Sequence, residues 1–202
     1  MRLRPFAVVV VTAALALSGC TAAGDSASGN LEDRIFVPAA ERGDAPDLTG
    51  EDLAGEPLSL ADFRGQVVVA NVWGSWCAPC RKETPDLIAS SKELARSGVR
   101  FVGINTADNA AAAKAYVRSS GIPYPSFYDP DGKLLLNLRD SIPPKAAPST
   151  LVFDTEGRVA ASVIGVVTQK SLSPIVGKVV LEAARASAAT STAASRSESA
   201  AR

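Results

Sequence analysis

Histidine is absent from this chain of 202 residues, cysteine occurs three times and methionine once, and aromatic residues make up only 5%. Without histidine, the commonest metal ligand and the commonest general base are both missing. That excludes most catalytic-metal chemistry and the Ser-His and Cys-His nucleophile pairs. An excess of charge is missing too, with 21 basic against 21 acidic residues and no basic run of five. A balanced chain has no general attraction for nucleic acid. No apolar stretch approaches the roughly 20 residues that cross a bilayer as a helix.

What is present begins with an address. Arg2 and Arg4 precede an apolar run over residues 6–17, broken only by Thr12. This length and order fit a secretory signal core. The run ends in Leu17-Ser18-Gly19-Cys20, which resembles the bacterial lipobox, in which the cysteine becomes a diacylated N-terminus. The reading is a lipoprotein signal peptide over 1–19, and a lipidated Cys20 with a tether over 20–43. Two acyl chains hold a protein stably on a membrane, which places the domain on the extracytoplasmic face. Removing the leader leaves 19 basic against 21 acidic residues. Residues 187–202, rich in Ala, Ser and Thr, read as a disordered tail.

Between them, residues 44–186 alternate strand-like and helix-like segments, the pattern of an α/β layer fold. A small hairpin is expected over 47–60. The β-branched run 67–73 reads as a strand covered on both faces. A helix follows over about 77–97, ended by Gly98 and disturbed by Pro85. A second strand over 99–105 leads to an Ala-rich helix, capped by Asp108 and stopped before Gly121. An extended piece over 126–128, a short helix through Leu138, a hairpin over 150–164 and a helix over about 171–186 complete the pattern.

The chemistry concentrates in Trp76-Cys77-Ala78-Pro79-Cys80. A Cys-x-x-Cys between a buried strand and a helix sets both sulfurs on the first helical turn. Unpaired N–H groups and the positive end of the helix dipole there favour a thiolate. Cys77 is expected to be the exposed attacking sulfur and Cys80 the resolving one. A zinc site lacks ligands, since zinc takes four and only Cys20 remains besides the pair. A structural disulfide closing so short a loop would remove little entropy from the unfolded chain. With Cys20 given to lipid, the pair needs no cofactor and no metal.

The stretch VVVANVWGSWCAPCRKETP, with the preceding APDLTGEDLAGEPLSLADFRG, resembles the TlpA/ResA-type thiol-disulfide oxidoreductases of the thioredoxin superfamily, from about Ala45 to the Phe153 hairpin. The resemblance implies a thioredoxin-like α/β fold, a central mixed β-sheet flanked by helices with an added N-terminal β-hairpin. It also implies reduction of disulfides in exported proteins, apocytochrome c among them, and a membrane thiol carrier as electron donor. Pro148 resembles the cis-proline that faces the cysteines, with the Ala147 backbone pairing to extended substrate. Trp76 and Pro79 complete the expected substrate face. Glu83, three residues after Cys80 on the same helical face, matches an acid that tunes thiol protonation. It equally fits a solvated member of the charged run Arg81-Lys82-Glu83. Asn71 stands where thioredoxins proper carry a buried acid, which puts the proton relay on Glu83.

Three other readings compete. An oxidase or isomerase of exported proteins would use the same pair, because the potential of such sites spans roughly −270 to −120 mV and Ala78-Pro79 alone does not set it. A peroxiredoxin-like peroxidase would need Thr or Ser three residues before its reactive cysteine and Pro seven before. Cys80 has Cys77 and Trp73 there, and Cys77 has Gly74 and Ala70. A non-catalytic binding lipoprotein, such as a copper chaperone, would call for a longer cysteine spacing and a histidine.

Overall fold

A computed structural model describes residues 34–143 and 145–200. The signal segment and Cys20 lie outside the described residues. Strands β1 (Arg34–Phe36), β4 (Val68–Trp73), β5 (Arg100–Thr106), β6 (Ser126–Asp129), β7 (Ser149–Phe153) and β8 (Val159–Ile164) form one sheet in the order β1-β8-β7-β4-β5-β6. The β4–β5 and β5–β6 pairs are parallel, and β4–β7, β7–β8 and β8–β1 antiparallel. A separate hairpin of β2 (Thr49–Glu51) and β3 (Pro57–Ser59) docks on the β6 edge, where the Leu53 N–H donates to the Ser126 carbonyl. This is the mixed thioredoxin-like sheet with its added hairpin.

The continuous apolar run of β4 follows from burial on both faces. Val68, Ala70 and Val72 enter one core with Val102, Ile104, Leu151 and Phe153, closed by Leu48, Leu60, Phe127, Leu135 and Leu138. Val69 enters the opposite core beneath α1 (Ala78–Leu94) and α4 (Gln169–Ala200), with Leu87, Val152, Leu172 and Val176. Period-2 alternation therefore turns Asn71 and Trp73 toward the helices. Helix α1 runs through Pro85 and passes by a 3-10 turn to Gly98, whose φ of 75° supplies the left-handed cap. Helix α2 (Ala110–Ser120) ends likewise at Gly121, and α3 (Lys133–Leu136) is one short turn.

Three expectations need correction. The fold does not start at Asp44: β1 adds to the β8 edge, and Arg42, its side chain only 2% exposed, fastens the segment. Its guanidinium donates to the Val37 carbonyl and pairs with Asp154 at 3.1 Å and Glu182 at 2.5 Å. An open sheet edge offers unpaired backbone groups, which a neighbouring extended segment satisfies. Residues 187–200 are helical, continuing α4; alanine carries the highest helix propensity, and propagation from a packed helix avoids the cost of nucleation. Asp108 does not cap α2. Asn109 does, its side chain accepting from the Ala111 and Ala112 N–H groups.

Candidate active site

Strand β4 ends at Trp73, and four residues later Cys77 becomes the N-cap of α1. Its Sγ accepts from the Cys80 N–H at 3.2 Å, so a backbone donor that the helix leaves unpaired is aimed at the sulfur. Cys77 and Cys80 are joined as a disulfide. Pro79 lies exposed in the first turn, where its missing N–H costs nothing.

Cys77 is not exposed. It is 3% accessible and Cys80 2%. The pair forms a small cluster with Trp73 and Ala113, against which Leu53 of the hairpin, Tyr116 and Val117 of α2, and Ala147 pack. The first turn of a helix is solvent-facing in isolation; here the added hairpin and the Ala147 loop cover the two cysteines, while Ala78 and Pro79 stay exposed. Pro148 is in the cis form and buried, and its carbonyl accepts from the Gly165 N–H. The Ala147 N–H, expected free for an extended substrate, donates to the Lys145 carbonyl at 3.0 Å.

Glu83 is fully buried, not part of a solvated charge run. One carboxylate oxygen accepts from Asn71 Nδ2 at 2.7 Å and the other from the Val167 N–H at 2.9 Å. Asn71 is steadied by the Thr150 hydroxyl and the Ser149 carbonyl. Burial pushes the Glu83 carboxyl up to about 7, against the lowering effect of these two donors, with Asp86 adding a small upward push. A buried acid titrating near neutrality, on the helical face of Cys80, can take up or release a proton at the pH where thiols exchange.

Trp76 is 57% exposed, its indole N–H directed at the Thr106 carbonyl at 3.4 Å. Gly74 permits this pose, because a Cβ there would collide with the indole. The loop between them is held from the segment that follows β5: Asp108 accepts from the Ser75 N–H at 2.5 Å, the Ser75 hydroxyl at 2.8 Å and Asn105 Nδ2 at 2.9 Å. Burial opposes ionisation of Asp108, but the donors from Ser75, Asn105 and Asn109 outweigh it and hold the carboxyl below its usual value. Sequence reasoning missed this hub, having read Asp108 as a cap. It also missed Val167, whose contribution is a backbone N–H without a residue signature. Tyr116 was missed as well; its hydroxyl donates to Thr84, which donates to the Cys80 carbonyl. Among the described residues, no group of three or more His, Cys, Asp or Glu is placed to hold a metal.

Comparison with known proteins places this geometry. Residues 42–162 match the AhpC/TSA family. The thiol-disulfide oxidoreductase ResA of Bacillus subtilis is 32% identical over 133 residues, 66% of this chain and 72% of that protein. The secreted thiol-disulfide isomerase of Corynebacterium glutamicum superposes with a TM-score of 0.70 at 36% identity, over 76% of this chain and 95% of that one. A DsbF homologue from Corynebacterium diphtheriae superposes with a TM-score of 0.69 at 36% identity, covering 75% and 96% of the two chains. A cysteine pair at a helix start, on a mixed sheet with an added hairpin, thus comes with relatives named for disulfide chemistry: the chain belongs to the AhpC/TSA family, as a TlpA/ResA-type thiol-disulfide oxidoreductase of the thioredoxin superfamily.

Proposed function

We propose that the protein is a lipid-anchored extracytoplasmic reductant of exported protein disulfides, with the haem-attachment cysteines of apocytochrome c as the client class. The observation that best supports thiol-disulfide exchange here is the buried Glu83, held by Asn71 and Val167 on the face of α1 that carries Cys80, and the family resemblance favours the reducing direction. In the reduced protein, the Cys77 thiolate attacks one sulfur of a client disulfide, and the other leaves as a thiolate. Cys80 then gives its proton to Glu83 and attacks Cys77, releasing the second client sulfur. The protein loses two electrons and the client gains them as two thiolates, which take up one proton released by Glu83 and one from solvent, ending in the disulfide seen here. A membrane thiol carrier reverses the change. Trp76, Pro79, the Ala147 carbonyl and Pro148 form the face along which the client lies.

Trapping tests the reading. The Cys80→Ser variant is expected to accumulate mixed disulfides with exported proteins through Cys77, and Cys77→Ser none. Equal yields from both variants sink the assigned order of attack. The competing oxidase reading shares every one of these residues and separates on potential. A value above about −150 mV overturns the reductant reading. The anchor is tested by Cys20→Ser, which is expected to move the protein from the membrane fraction to the soluble one.

A further inference from the structure

Beside the cysteine cluster lies a cleft of about 460 Å³ between the tip of the β2–β3 hairpin and α2, continuing to the start of β6. Such a volume suits a side-chain or small-ligand subsite. Leu53 and Val117 line it and also pack on the cluster that holds Cys77 and Cys80. Ser126, at its floor, accepts from Trp73 Nε1 at 3.3 Å. The cleft is therefore one wall removed from the reacting sulfurs.

Its polar lining is mostly donors. Lys114 and Arg118 stand one turn apart on α2, both exposed, and neither enters an ion pair among the described residues. Tyr124 also lines the cleft, its ring packed against Phe101. The one carboxylate in the lining, Asp52, turns an oxygen onto the Ala54 and Glu56 N–H groups of its own hairpin. Two exposed cations without an ion pair among the described residues, beside Leu53, Val117 and Pro125, match an apolar segment that carries negative charge.

We propose that this cleft is a docking subsite for an acidic, apolar segment of the disulfide-bearing client, engaged while the client's sulfurs reach Cys77. The proposal rests on the oxidoreductase reading above, and adds that client choice is set by charge on the α2 side. The Cys77–Cys80 pair recognises only a disulfide; the flanking cleft tells one protein from another.

The test uses the full chain and short fluorescent peptides without cysteine, matched in length and apolar content but acidic, neutral or basic. At low salt the acidic peptide is expected to bind about tenfold more tightly than the neutral one. The preference should shrink as salt rises, and vanish in the double variant K114E/R118E. Equal binding of the three peptides, or an acid preference that survives K114E/R118E, overturns the proposal. Trapping with the Cys80→Ser variant separates the two readings. Clients trapped without any charge preference leave the oxidoreductase and remove the cleft; charge-selective binding without trapping does the reverse.

Discussion

Asn71 donates a 2.7 Å hydrogen bond to Glu83, joining the central strand β4 to helix α1 in the interior of the molecule. The strand position at which the thioredoxin resemblance implies an acid here presents a donor, and the buried carboxylate it meets is that of Glu83, one turn after Cys80 on α1.

Stability should fall as pH rises through the window set by Glu83. Its carboxyl titrates at about 7 in the fold against 4.5 unfolded, so the folded chain binds the extra proton between those values. The contribution is fully present below 4.5, and is lost as pH climbs to 7, at a cost on the order of 3 kcal/mol. Asp108 and Asp154, held low, act in the opposite sense and only below their ordinary value of 3.8. Denaturant titrations of wild type and Glu83→Gln across this range should give a slope for the first and a nearly flat line for the second. Parallel lines would remove the raised Glu83 from the account.

Replacing Asn71 by Ala takes away a donor that favours the ionised form of Glu83. The inflection that Glu83 imposes on the exchange rate should move above pH 7, while Glu83→Gln abolishes it. Stopped-flow exchange with a model disulfide over a pH series reads both effects. An unmoved inflection in Asn71→Ala would detach this pair from the proton transfer.

Trp76→Ala should lower kcat/KM toward protein disulfides by roughly tenfold, because an exposed aromatic beside Cys77 offers contact area to a client. The midpoint of thermal unfolding should hardly change, since the ring is 57% exposed. Asp108→Ala, which releases Ser75, should mimic part of the loss by freeing the loop that carries the indole. Full kcat/KM in Trp76→Ala counts against a substrate role for this residue.

Arg42→Ala should cost about 3 kcal/mol, the scale for removing one partner of a buried charge network. Asp154 keeps Arg158 as a partner at 2.9 Å, which limits the loss, whereas Glu182 loses the pairing described for it. Equilibrium unfolding measures the cost. A change below about 0.5 kcal/mol, the range of ordinary surface substitutions, would mean that the segment through Arg42 is not fastened to the sheet.

The sequence reading succeeded where the cause is local. Residues 67–73 announced a doubly covered strand through β-branched density, Gly98 and Gly121 marked helix ends, and the spacing of Cys80 and Glu83 placed both on one helical face. It failed where the partner is distant. Nothing in Arg34-Ile35-Phe36 names β8 as its neighbour, and nothing in Asp108 reveals that Ser75, 33 positions away, takes its carboxylate. Cys77 was expected in solvent because the first helical turn is open until Leu53 and Ala147 fold over it.

What the residues alone determined is where the chemistry lies: two sulfurs at a strand-to-helix junction, in a chain without histidine, favour thiol-disulfide exchange over metal or Cys-His chemistry. Tertiary structure decided the protonation state and the access. Glu83 is ordinary in sequence, and becomes an acid near neutrality only when burial strips its water, a rise that donors from positions 12 and 84 residues away hold in check. Dehydration and long-range hydrogen bonding are properties of the packed chain, so no reading of neighbours along the backbone contains them.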